Sequence, residues 1–94
     1  MNLLNNAVYN LELKKSVYET FKKLEKKDKT SLKIISRKLK DILQDPYRFK
    51  PLRAPLQNKR RVHIGKSFVL IYEVDEQTKT VIILDYDHHD NVYK

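Results

Sequence analysis

The 94-residue chain contains no cysteine, one glycine and three prolines, and no apolar run of it approaches the length of a membrane span. Without cysteine, disulfides and thiolate zinc sites are excluded. A bilayer crossing needs about 20 consecutive apolar residues, so none is expected. The opening MNLLNNAVYN lacks a basic n-region and an apolar h-region long enough for a signal peptide. These absences point to a soluble, cytoplasmic protein, and the length supports one domain, residues 1–94, with a modest core. There is no internal repeat, low-complexity run or linker. One further absence is local. Residues 47–66, YRFKPLRAPLQNKRRVHIGK, carry seven basic side chains and no carboxylate, whereas residues 67–94 are net acidic. Positive charge on helix-like stretches usually forms a solvated face, but an acid-free basic segment suits a phosphate-bearing partner.

Hydrophobic periodicity gives the element order. Ala7–Leu13 alternates as a short strand. Ser16 to Glu19, SVYE, has the form of a capping box, which predicts a helix over 17–27 with Val17, Phe21 and Leu24 on one side. After a KKDKT turn, Thr30 or Ser31 opens a second helix with Leu32, Ile35, Leu39 and Ile42 as its stripe, ended by Asp45-Pro46. A proline-bearing extended loop then leads to strands at 60–64, 68–74 and 80–86, with Gly65 permitting the first intervening turn. The order β-α-α-β-β-β predicts an α+β fold: an N-terminal strand, a helical hairpin, then a three-stranded antiparallel meander. The strands are apolar on both faces while the hairpin covers one, so the second face is expected to await another chain.

The residues able to do chemistry are His63, His88 and His89. Adjacent residues of a strand point to opposite faces, so His88 and His89 do not share one ligand. If the last strand runs on, Asp85, Asp87 and His89 share a face, but no second imidazole stands at ligand spacing and no HxxE or HxH pattern is present. The acid–base alternative needs two titratable groups at one phosphate. His63 and His89 sit at strand ends that a meander brings together, and imidazole titrates near neutrality. Lys59, Arg60, Arg61 and Lys66 are placed to neutralise phosphoryl charge. Tyr93, in the polar tail, either stacks on a nucleobase or folds back onto the sheet edge.

The segment RVHIGKSFVLIYEVDEQTKTVIILDYDHHDNVY resembles the C-terminal half of toxins of the RelE/ParE superfamily, and FKPLRAPL resembles the loop that leads into it. The resemblance covers about residues 8–94 and is most specific over 48–94. The YafQ-like, histidine-using branch is the nearest pattern: His63-Ile64 opens a stretch ending in Leu70-Ile71-Tyr72, and His89 stands four residues before Tyr93. Ser67 occupies the place of that branch's aspartate, so either another acid serves or cleavage is weaker, and Lys50 stands near the place of a further histidine. The resemblance implies a type II toxin that cleaves mRNA in the ribosomal decoding site, with no metal or cofactor, and is silenced by a cognate antitoxin. It implies His89, then His63, for proton transfer, Phe68 and Tyr93 for placing the base, and Arg60 and Arg61 for phosphate, with Lys50, Arg53, Lys59 and Lys66 as further phosphate contacts. Gyrase inhibition of the ParE kind and a catalytically degenerate binding protein are the alternatives. If about five phosphates of a single strand are neutralised, affinity should fall roughly 100-fold between 50 and 200 mM salt.

Overall fold

The computed structural model describes residues 9–92. In chain order it comprises β1 (Asn10–Leu13), α1 (Lys15–Lys27), α2 (Lys29–Gln44), β2 (Lys59–Ile64), β3 (Phe68–Asp75), β4 (Thr80–His88) and α3 (His89–Val92). The strands form one sheet in the order β1-β4-β3-β2. Short turns make β2, β3 and β4 antiparallel neighbours, and the long excursion through the helical hairpin lets β1 lie parallel to β4. This is the expected α+β order with one addition, the short α3.

The helix starts differ from the sequence reading. Lys14 occupies the cap position of α1 without a side-chain bond, and the Ser16–Glu19 capping box does not form. The reason is the ladder: the Lys14 N–H donates to the Ile83 carbonyl at 3.0 Å, so the chain leaves β1 straight into the helix. Ser16 is already inside the first turn, where its carbonyl accepts from the Thr20 hydroxyl. Asp28, rather than Thr30 or Ser31, opens α2. Its N–H closes α1 onto the Leu24 carbonyl, and its carboxylate accepts from the Ser31 hydroxyl at 2.6 Å and the Ser31 N–H at 3.0 Å. Those two bonds hold the Asp28 carboxyl below its ordinary range.

Val17, Phe21, Ile35 and Ile42 of the hairpin pack on Val62, Ile64, Leu70, Tyr72, Val81 and Ile83 of the sheet. Each such burial is worth about 1.5–3 kcal/mol. The opposite face is less bare than expected. Val69 and Ile71 alternate with the core residues Leu70 and Tyr72, stand outside the hairpin-side cluster, and are still only 0% and 6% exposed. The chain's own α3 lies against β3 and β4. HDNV is too short to carry an apolar stripe, so periodicity gave no sign of it. A bulge also interrupts β4: Ile71 pairs with Asp85 and Tyr72 with Ile83, which passes over Leu84. Beyond the bulge, Tyr86 and His88 join the hairpin side and Asp85 and Asp87 the other.

The loop before β2 is fastened to the sheet edge. The buried Tyr72 hydroxyl donates to the Pro46 carbonyl at 2.6 Å, and burial pushes that phenol up to about 12. Farther on, Leu52 N–H donates to Lys59 O and Arg61 N–H to Lys50 O, at 2.9 and 3.1 Å. Residues 50–52 thereby line the outer edge of β2.

Candidate functional site

The alternation of β2 sorts its basic residues onto two sides. Val62 and Ile64 face the hairpin core, so Arg60 shares their side, while Lys59, Arg61 and His63 take the other. Arg60 is occupied there. Its Nη1 donates to the Phe49 carbonyl at 2.7 Å and more weakly to the Tyr47 carbonyl at 3.3 Å, and its guanidinium lies 5.1 Å from the centre of the Tyr47 ring. Its position in the pleat makes Arg60 a tie for the loop, on the side of β2 away from His63.

On the other side a cavity of about 680 Å³ opens between β2, the 52–56 loop and α3. His63, His89, Arg61 and Arg53 form its polar lining, and Leu52, Ala54, Leu56 and Val92 its apolar wall. The His63 and His89 rings stand 6.3 Å apart, centre to centre, tilted by 41°. Two local features produce this approach. Gly65 adopts φ +62°, a left-handed conformation that costs glycine little, and so turns the chain two residues after His63. The His89 N–H then donates to the Ser67 carbonyl at 2.7 Å, which sets the start of α3 beside that turn. Arg61 and His63 also border an adjoining cavity of about 260 Å³ with Arg48, Phe49 and Lys50. A basic trough thus runs past the two imidazoles. Below it, Asp87 accepts from the Asn91 amide and the His88 N–H, and those bonds, the Asn91 one first, keep its carboxyl below the usual range.

Several expected site residues stand elsewhere. Phe68 pairs with His88 on the hairpin side of the sheet, stacked on Tyr86 at 4.9 Å and edge-on to His88 at 5.6 Å, so its ring does not join His63 and His89. Lys59 approaches Glu73 at 4.0 Å, and Lys66, in the β2–β3 turn, lines neither cavity. Tyr93 lies outside the described residues. Three wall residues, Leu52, Ala54 and Leu56, went unread; the available signal was apolar side chains in a proline-bound loop that no helix or strand pattern claims, while the fourth, Val92, is carried by α3. A separate groove of about 550 Å³ between the helices is lined by Glu25, Lys29, Leu32, Lys33, Ser36 and Arg37 and offers no imidazole. Among the described residues, no three His, Cys, Asp or Glu side chains converge as a metal-binding group, and no helix is long and apolar enough to cross a membrane.

The comparisons agree with this architecture. The family model described as the ParE toxin of type II toxin–antitoxin systems, parDE, matches residues 11–93. A protein of Methanocaldococcus jannaschii named "Putative toxin RelE4" is 51% identical over 87 residues, 93% of each chain. Among solved structures, a chain of the toxin–antitoxin complex RelBE2 from Mycobacterium tuberculosis aligns with TM-score 0.69 and 26% identity over 86% of this chain and 91% of that one. The YoeB/ParE toxin from Agrobacterium tumefaciens aligns with TM-score 0.76 over 85% and 98%, at 13% identity, a likeness of fold alone. A sheet packed on a helical hairpin, a basic trough and a family match over nearly the whole chain lead to one conclusion: the chain belongs to the ParE toxin family of type II toxin–antitoxin systems, within the RelE/ParE superfamily.

Proposed function

We propose that this toxin is an endoribonuclease of the YafQ-like, histidine-using kind that cuts mRNA in the ribosomal decoding site without a metal. The observation that carries the reading is the pair of imidazoles 6.3 Å apart beside Arg61. At that spacing both rings reach one bridging phosphate, each by a hydrogen bond of about 3 Å. In the proposed reaction His89 accepts the proton of a ribose 2′-OH, and the oxygen attacks the adjacent phosphorus. The bond from phosphorus to the 5′-oxygen breaks, and the His63 imidazolium protonates that leaving oxygen. The products are a 2′,3′-cyclic phosphate and a 5′-OH. Arg61, Arg53 and Lys50 line the trough and are assigned to the phosphate charge. Tyr93, next in the chain to the wall residue Val92, is assigned to the base.

The RelBE2 relative is a toxin–antitoxin complex, which supports a cognate antitoxin as the regulatory partner. The basic trough, more than the partly covered apolar face, is the surface we assign to it. The reading is tested by mapping RNA 5′ ends on programmed ribosomes. The intact protein should cut within the decoding site, and His89→Ala should not while keeping its melting temperature. The family model that matches is named for ParE, which keeps gyrase inhibition as the second reading. Inhibition of DNA supercoiling with no new RNA ends would decide for it.

A further inference from the structure

The reaction proposed above needs one defined basic nitrogen on His89, and the DHHD run of residues 87–90 contains a device that selects it. The Asp90 N–H donates to His88 Nδ1 at 3.2 Å. A ring nitrogen that accepts carries no proton, so neutral His88 holds its proton on Nε2. The Asp90 carboxylate is then left to the other ring. Its Oδ1 lies 3.1 Å from His89 Nδ1, whereas its Oδ2 is 3.6 Å from His88 Nδ1, too far for a hydrogen bond. A carboxylate only accepts, so the 3.1 Å contact requires a proton on His89 Nδ1. Neutral His89 therefore has Nε2 as its basic nitrogen.

We infer that Asp90 is a positioning residue for His89: it fixes the Nδ1–H tautomer and the ring's orientation, and so presents Nε2 as the proton acceptor. The inference rests on the nuclease reading for its purpose but not for its geometry. Among the described residues, Asp90 brings a carboxylate onto this ring, while His63 and Arg61 of β2 and Arg53 of the loop, which line the same cavity, carry no carboxylate. The backbone bond from Asp90 to His88 survives any substitution at position 90 other than proline, so the side chain can be removed while α3 is kept.

The test uses the full chain labelled with ¹⁵N. Long-range ¹H–¹⁵N spectra at alkaline pH should show His89 protonated on Nδ1 and His88 on Nε2. In Asp90→Ala, His89 should shift toward the Nε2–H form with the melting temperature unchanged, and Asp90→Asn, which keeps an acceptor oxygen, should be intermediate. On programmed ribosomes Asp90→Ala should lower kcat roughly 3- to 30-fold at unchanged KM, less than the 10²–10⁴ expected for losing the general base itself. His89 protonated on Nε2 in the unaltered protein would overturn the inference whether or not the protein cuts RNA. So would an Asp90→Ala variant that keeps both the Nδ1–H form and the full rate. Correct tautomers in a protein that cuts no RNA would leave the positioning in place and sink the nuclease reading instead.

Discussion

Replacing Arg60 and Arg61 by methionine in turn separates a structural arginine from a phosphate-binding one. Arg60 donates a charged hydrogen bond of 2.7 Å to a half-buried carbonyl, that of Phe49. Such a bond contributes about 1.5–3 kcal/mol. The longer bond to Tyr47 O is exposed and adds little, and the contact with the Tyr47 ring adds about 0.5–1 kcal/mol. Methionine keeps the apolar stem and loses both, so Arg60→Met should cost about 2–4 kcal/mol. For a domain of this size each kcal/mol lowers the melting temperature by about 4–8 °C, which predicts a drop of roughly 8–32 °C. Arg61 lines the trough beside His63, on the other side of β2. The salt dependence of single-stranded RNA binding should respond the other way, its slope becoming shallower by about 0.7 for Arg61→Met and unchanged for Arg60→Met. Scanning calorimetry and a salt titration decide the matter. An Arg60→Met variant with unaltered melting and a shallower slope would refute the division of the two arginines by strand alternation.

Three other outcomes follow from the geometry. Glu76 accepts from Lys79 Nζ at 2.6 Å, from the Tyr47 hydroxyl, and from the Tyr9 hydroxyl at 2.6 Å, which brings its carboxyl down from 4.5 to about 2. A depressed carboxyl stabilises the fold above its unfolded value, and that stability is lost as pH falls from about 4.5 toward about 2; Glu76→Gln should flatten the acid limb of a melting-temperature profile over that window. A methyl group added at Gly65 would meet open space, but the backbone there has a φ of +62°, so Gly65→Ala should cost about 1–2 kcal/mol in urea denaturation, from the backbone alone. Among the described residues, Arg48, Lys50, Arg53 and Arg61 are the lysines and arginines that line the trough. The log–log salt slope of RNA binding should therefore lie near about −2.8, an affinity loss of roughly 50-fold between 50 and 200 mM, and a flat profile would remove the trough as the RNA footprint.

The sheet and the helical hairpin were legible because apolar spacing of period two and 3.6 writes directly onto burial: Ile35 and Ile42, or Leu70 and Tyr72, are where their spacing puts them. Boundaries that depend on hydrogen bonding were less so. Ser16 looks like a cap until the Lys14 N–H is found on Ile83, a partner far along the chain. The site was half legible. That His63 and His89 stand together follows from the Gly65 turn and the bond to Ser67. The sorting of Arg60 from Arg61, and the removal of Phe68 to the Tyr86 side, follow from the face each occupies in the pleat. A basic composition count cannot register that. The double histidine reads differently too: β4 ends at His88 and α3 begins at His89, so the two rings are separated by a change of element rather than by strand alternation.

The most direct test of the shared-phosphate mechanism is the rate and product chemistry of cleavage on programmed ribosomes in the presence of a chelator, for the intact protein, His63→Ala and His89→Ala. Two imidazoles sharing one phosphate predict cleavage that survives the chelator and leaves 2′,3′-cyclic phosphate and 5′-OH ends. They also predict losses of about 10²–10⁴ for each variant with melting unchanged. Full-rate cleavage by either variant, or cleavage abolished by the chelator, would contradict it.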